Sequence, residues 1–73
     1  MDNYYRRLRD LREDHDLTQR EVSEMLGIKQ PQYSRYEKGY RDLPTDILIR
    51  LARFYRVSTD YILNLTDNSQ PYE

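Results

Sequence analysis

Apolar residues recur at helical spacing along most of the chain. Leu8 and Leu11 form one set, and Val22, Met25 and Leu26 a second. Tyr33 and Tyr36 follow, then Ile47, Leu48, Leu51, Ala52, Phe54 and Tyr55, and last Tyr61, Ile62 and Leu63. Steps of three and four residues place each of the first four sets on one face of a helix, and the last is a short apolar run borne by a short helix. β-branched runs are absent, and only two glycines and three prolines punctuate the chain, so the pattern predicts an all-α domain. The first helix is expected from Asn3 to Asp14, with Tyr4 and Tyr5 also on its apolar stripe, and the fourth begins at Thr45 or its neighbour. Ser58 is expected to cap a fifth helix from Thr59 to Asn64. The polar residues from Thr66 onward are expected to fray, giving a folded part over 1–66 and a tail over 67–73.

The clearest local signals lie between Leu17 and Gly39. Thr18 and Glu21 form the capping box T-x-x-E, and Leu17 before it is placed to staple onto Val22. Gly27 follows the last apolar residue of this second helix, in the usual left-handed stop position. The third helix should begin near Lys29–Gln30, with Pro31 in its first turn, and stop before Gly39. Two short helices around a tight turn are the layout of a helix-turn-helix.

The third helix has two unlike faces. At about 100° per residue from Gln30, Ser34 falls near 40°, Pro31 near 100° and Arg35 near 140°. Tyr33 and Tyr36 fall on the opposite, core-facing side, and Gln32 lies at the border. Glutamine can both donate to and accept from adenine in the major groove, and arginine can donate twice to guanine. Gln30, Ser34 and Arg35 are therefore the candidate readers of base edges, with an ordinary solvated helix face as the alternative.

Charge sharpens this picture. The 73 residues carry a formal net charge of −1, so the chain is not basic overall. Yet residues 28–41 hold Lys29, Arg35, Lys38 and Arg41 against Glu37 alone. Local charge is what a phosphate feels, because fields decay over roughly 8–10 Å in physiological salt. The acidic excess sits on the first two helices, as on ordinary solvated faces.

Other chemistry has little support. Cysteine is absent, and the single histidine, His15, stands at a helix end, so no metal site or cofactor is expected. No glycine-rich phosphate loop or nucleophile–base constellation is present, and no enzyme is expected. No apolar run is long enough to span a membrane or act as a signal peptide, which makes a cytoplasmic protein the expectation.

Leu17-Thr18-Gln19, Leu26-Gly27-Ile28 and Ser34-Arg35-Tyr36-Glu37-Lys38-Gly39 together resemble the XRE family of Cro and phage-repressor-type regulators. Pro44, Leu51-Ala52, Phe54, Val57-Ser58 and Asp60-Tyr61-Ile62-Leu63 continue the match in order. The resemblance implies a lambda-repressor-like five-helix domain whose second and third helices bind double-stranded DNA. It implies that Gln19 contacts a phosphate, that Gln30 and Arg35 read bases, and that Lys29 and Gln32 lie near phosphates or the groove edge. Lys38, Tyr40 and Arg41 would grip the backbone, and Arg12 and Glu37 match an inter-helix salt bridge. The sequence departs from the family at Lys29, where a Ser or Thr cap is usual, and at Pro31, where a polar reader is frequent. Tyr33 replaces a smaller aliphatic; it is read either as core or as carrying its hydroxyl toward DNA.

The expected function is transcriptional regulation, with repression the commoner family outcome. A homodimer on an inverted repeat is expected, with Ile62, Leu63 and Leu65 as its candidate seam and completion of the single-chain core as the alternative for all three. The rival reading is an antitoxin or anti-repressor of the same fold, whose main partner is another protein.

Overall fold

A computed structural model describes residues 6–70 of the chain. Its helices are α1 (Arg6–Asp14), α2 (Gln19–Leu26), α3 (Gln30–Glu37), α4 (Thr45–Tyr55) and α5 (Thr59–Ile62). No strand occurs among the described residues. Tyr4 and Tyr5, expected on the first helix, lie outside them. Among the described residues, no helix is long and apolar enough to cross a membrane.

The start of α2 follows from its capping box. Thr18 Oγ1 accepts from the Glu21 backbone N–H at 3.1 Å, and Glu21 Oε1 accepts from the Thr18 N–H at 2.9 Å. Two donors that a helix start leaves open are thereby satisfied. Ser58 caps α5 with a single bond, accepting from the Tyr61 N–H at 3.0 Å. By contrast, α3 begins at Lys29 with no side-chain cap and with Pro31 in its first turn.

All five helices end in one motif. A left-handed residue follows each: Asp16 (φ 55°), Gly27 (72°), Gly39 (77°), Arg56 (56°) and Asn64 (63°). The next residue then returns its N–H to a carbonyl five positions back, at 2.9–3.0 Å: Leu17 to Arg12, Ile28 to Ser23, Tyr40 to Arg35, Val57 to Ala52 and Leu65 to Asp60. This is the Schellman stop, and each returning residue is apolar or aromatic. It explains why α5 is shorter than the Thr59–Asn64 expected, since Asn64 already forms the turn.

Glycine suits the left-handed region; arginine does not. Such a backbone costs an L-residue with a side chain roughly 1–2 kcal/mol, offset in part by the greater freedom glycine has when unfolded. Arg56→Gly should therefore raise stability by about 0.5–1 kcal/mol. Urea titration would register this as a higher midpoint at unchanged slope.

The core draws on every helix. Leu8, Leu11, Val22, Leu26, Tyr33, Tyr36, Ile47, Leu51, Ala52, Tyr55, Val57 and Ile62 are buried together. Leu17, Met25 and Ile28 pack against them and so hold the α2–α3 turn. Phe54, expected in the apolar stripe of α4, is 44 % exposed and lies edge-on to Tyr55. Ile62 corrects the expected dimer seam. Its exposure is 0 %, so it completes the core of the single chain and has no surface to offer. Leu63 is half-buried against the core, and only Leu65 stands well out, at 73 % exposure.

Two arginines fasten the frame. Arg50 of α4 donates to the carbonyls of Leu26 and Met25 at 3.1 and 3.2 Å, closing the end of α2. Arg7 of α1 donates to the carbonyls of Tyr61 (3.0 Å) and Thr66 and to the Asp67 carboxylate (2.8 Å). Its guanidinium also lies 4.1 Å over the Tyr61 ring. The chain after α5 is thus attached to α1 at Thr66 and Asp67, within the stretch expected to fray.

Candidate nucleic-acid interface

The outward face of α3 follows from which of its side chains the core can take. Tyr33 and Tyr36 are 0 % and 4 % exposed, and Glu37 is buried beside them. Gln30, Pro31, Gln32 and Arg35 are left exposed and Ser34 half-exposed. Lys29 stands exposed at the start of the helix and Lys38 at its end. In the loop beyond, Tyr40 (76 % exposed) and Arg41 project into solvent. Lys38 lies with Gln19 in the cleft beside α1, whereas Lys29, Gln32, Arg35 and Arg41 come together along one side of α3. A groove runs beside it between α3 and the loop, lined by Gln32, Arg35, Tyr36, Arg41, Asp42 and Pro44.

Asp42 gives this surface one exposed carboxylate, but Glu37 does not add a second. Its carboxylate is turned inward and taken by Arg12, which donates from Nε to Oε2 at 2.7 Å and from its NH2 group to Oε1 at 3.2 Å. Side-chain exposures of 13 % and 3 % make this a largely enclosed two-pronged pair. Arg12 also donates to the Leu17 carbonyl at 2.9 Å, so one guanidinium joins α1, the start of the helix-turn-helix and α3. With Glu37 neutralised from within, Lys29, Arg35, Lys38 and Arg41 face solvent without it. On the acidic helices, Glu13 and Glu24 are paired with Arg9 and Arg20 one turn before them.

Burial alone would raise the Glu37 pKa, but hydrogen bonds from Arg12 and Gln19, with the Tyr33 hydroxyl nearby, overcome that and hold it below the usual carboxylate range. The hydrogen bond to Glu37 holds Arg12 above its ordinary value against the opposing effect of burial. Burial, reinforced by the nearby Glu37 carboxylate, pushes the Tyr33 phenol up. Tyr55 is pushed up to about 12, mainly by burial. All four groups keep their neutral-pH charge states under ordinary conditions.

Two residues sit differently from the simplest sequence picture. The half-buried Gln19 donates its amide to Glu37 Oε1 at 3.2 Å, so its side chain belongs to the buried network. Tyr33 is core, with its hydroxyl beside Glu37, which decides between the two readings of that residue. Arg50 was not marked by any sequence pattern as a support of the turn. An arginine facing helix-end carbonyls is recognisable only once α4 is packed on α2.

Residues 8–62 match the helix-turn-helix family over most of this frame. The chain belongs to the XRE-type helix-turn-helix family. The uncharacterized HTH-type transcriptional regulator YobD of Bacillus subtilis (strain 168) is 47 % identical over 68 residues, covering 93 % of this chain and 61 % of the relative. The HTH-type transcriptional regulator ImmR of the same organism is 41 % identical over 68 residues, 93 % of this chain and 54 % of the relative. The cryptic phage CTXphi transcriptional repressor RstR of Vibrio cholerae is 39 % identical over 51 residues, 70 % of this chain and 46 % of the relative. This XRE-family chain thus spans roughly half to three-fifths of the length of these curated relatives.

Proposed function

We infer that this XRE-family chain binds double-stranded DNA sequence-specifically and represses transcription from the site it occupies. One observation carries the reading: α3 leaves Gln30, Arg35 and part of Ser34 open on one helical arc, with Lys29 and Arg41 lining the groove beside Arg35 and the helix's own carboxylate turned inward. In this role α3 enters the major groove and the basic residues meet phosphates on either side. Gln19 contributes through the start of α2, where helix N–H groups favour an anion. Its side chain remains with Glu37. The repressor named among the relatives supports repression over activation.

A homodimer on an inverted repeat completes the proposal, with half-sites about 34 Å apart on one face of the duplex. Of the expected seam, Leu65 and the exposed part of Leu63 remain on the surface, and Ile49 and Phe54 of α4 are exposed apolar residues as well.

Selection from random duplexes followed by mobility-shift titration tests the reading. A recurrent inverted repeat should emerge. Affinity for it should fall steeply with salt, because each neutralised phosphate releases condensed counterions. Failure to select any sequence at low salt would defeat DNA reading. Sedimentation that finds one chain per bound duplex would defeat the symmetric dimer.

A further inference from the structure

Gln32 lies at the edge of the reading face, one turn before Tyr36. Its Nε2 donates to the Tyr36 hydroxyl at 3.1 Å. The Tyr36 ring is in the core and only 4 % exposed, whereas Gln32 is exposed. The hydroxyl is therefore a fixed point at the wall of the groove between α3 and the loop. Filling the core requires the ring alone; the hydroxyl is what tyrosine adds over phenylalanine, and here it meets Gln32.

That contact changes what Gln32 can do. An unanchored surface glutamine loses rotamer freedom when it meets a ligand; an anchored one has lost it beforehand. A carboxamide has two N–H donors and one carbonyl acceptor. With one N–H given to Tyr36, Gln32 keeps one N–H and its carbonyl. Those two groups complement the N7 acceptor and N6 amino donor of adenine. We propose that Tyr36 is a positioning residue for base recognition, its hydroxyl holding the Gln32 carboxamide as a preset adenine reader on the loop side of α3. This assignment rests on the DNA-binding role inferred above.

Tyr36→Phe isolates the hydroxyl and leaves the ring in the core. In the free protein, the two Gln32 side-chain amide protons should be displaced from free-glutamine shifts and show restricted motion by nuclear magnetic resonance. In Tyr36→Phe both features should collapse toward those of a free glutamine. On the selected duplex, Gln32→Ala should lose about tenfold in discrimination at one A·T pair. Tyr36→Phe should lose about threefold at that same pair, with affinity for unrelated duplex unchanged. The double variant should lose no more than Gln32→Ala. Unaltered Gln32 amide signals in Tyr36→Phe would overturn the positioning role, as would an equal loss on every duplex. A wild-type protein without sequence preference would remove the DNA role itself. The amide signals of the free protein would still report separately whether Tyr36 holds Gln32.

Discussion

Glu37→Ala should be the most damaging single change outside the aliphatic core, with an expected loss of about 3–5 kcal/mol. Removing the carboxylate leaves Arg12 charged, with its side chain only 13 % exposed and its two-pronged partner gone. It also withdraws the acceptor used by Gln19 and the group beside the Tyr33 hydroxyl. Breaking one half of an enclosed ion pair costs more than the pair contributes, because the surviving charge remains desolvated. Replacing both partners, as Arg12→Met with Glu37→Leu, should recover most of the loss. Urea unfolding of the two single variants and the double variant would measure this.

The same carboxylate sets an acid limit on stability. Its pKa is lower in the folded chain than in the unfolded one. The stabilisation it contributes is therefore full above the unfolded value, about 4.3, and disappears as pH falls through the folded value. Wild-type protein should lose stability across that acidic window more steeply than the double variant.

The next largest effects concern DNA and separate two kinds of arginine. Arg35 is exposed in the last turn of α3, at the groove side of its reading face, and Arg41 is exposed in the loop beyond it. Arg35→Ala should cost about 1–3 kcal/mol on the selected duplex and relax the preference at one base pair. Arg41→Ala should weaken matched and mismatched duplexes alike and lower the salt slope by about one unit. Titrations of both variants on matched and single-mismatch duplexes at two salt concentrations distinguish these behaviours. Equal losses from both variants on every duplex would show that Arg35 meets phosphate and reads no base.

The helix-turn-helix was legible because its signals are local. Thr18 and Glu21 lie within one turn of each other, and Gly27 and Gly39 mark stops that glycine adopts without strain. The stops at Asp16, Arg56 and Asn64 use the same geometry without glycine. Their available signal is weaker: an apolar residue directly after each turn, at Leu17, Val57 and Leu65. The two faces of α3 were also legible, since side-chain order on a helix follows from its period. The seam assigned to Ile62, Leu63 and Leu65 was harder to divide. A run of apolar residues does not distinguish those that close the core from those that extend beyond it.

By itself, the sequence determined five helices, where most of them start and stop, and which face of α3 is polar. Each depends on residues within a turn or two, where propensity, capping and periodicity act. Tertiary structure alone decided that Gln19 turns to Glu37, that Ile62 is sealed in the core, that Arg50 closes α2, and that Tyr36 meets Gln32 at the groove wall. Burial and most hydrogen-bond partners are set by which helices pack together. A side chain on one helix acquires its environment only when another helix arrives.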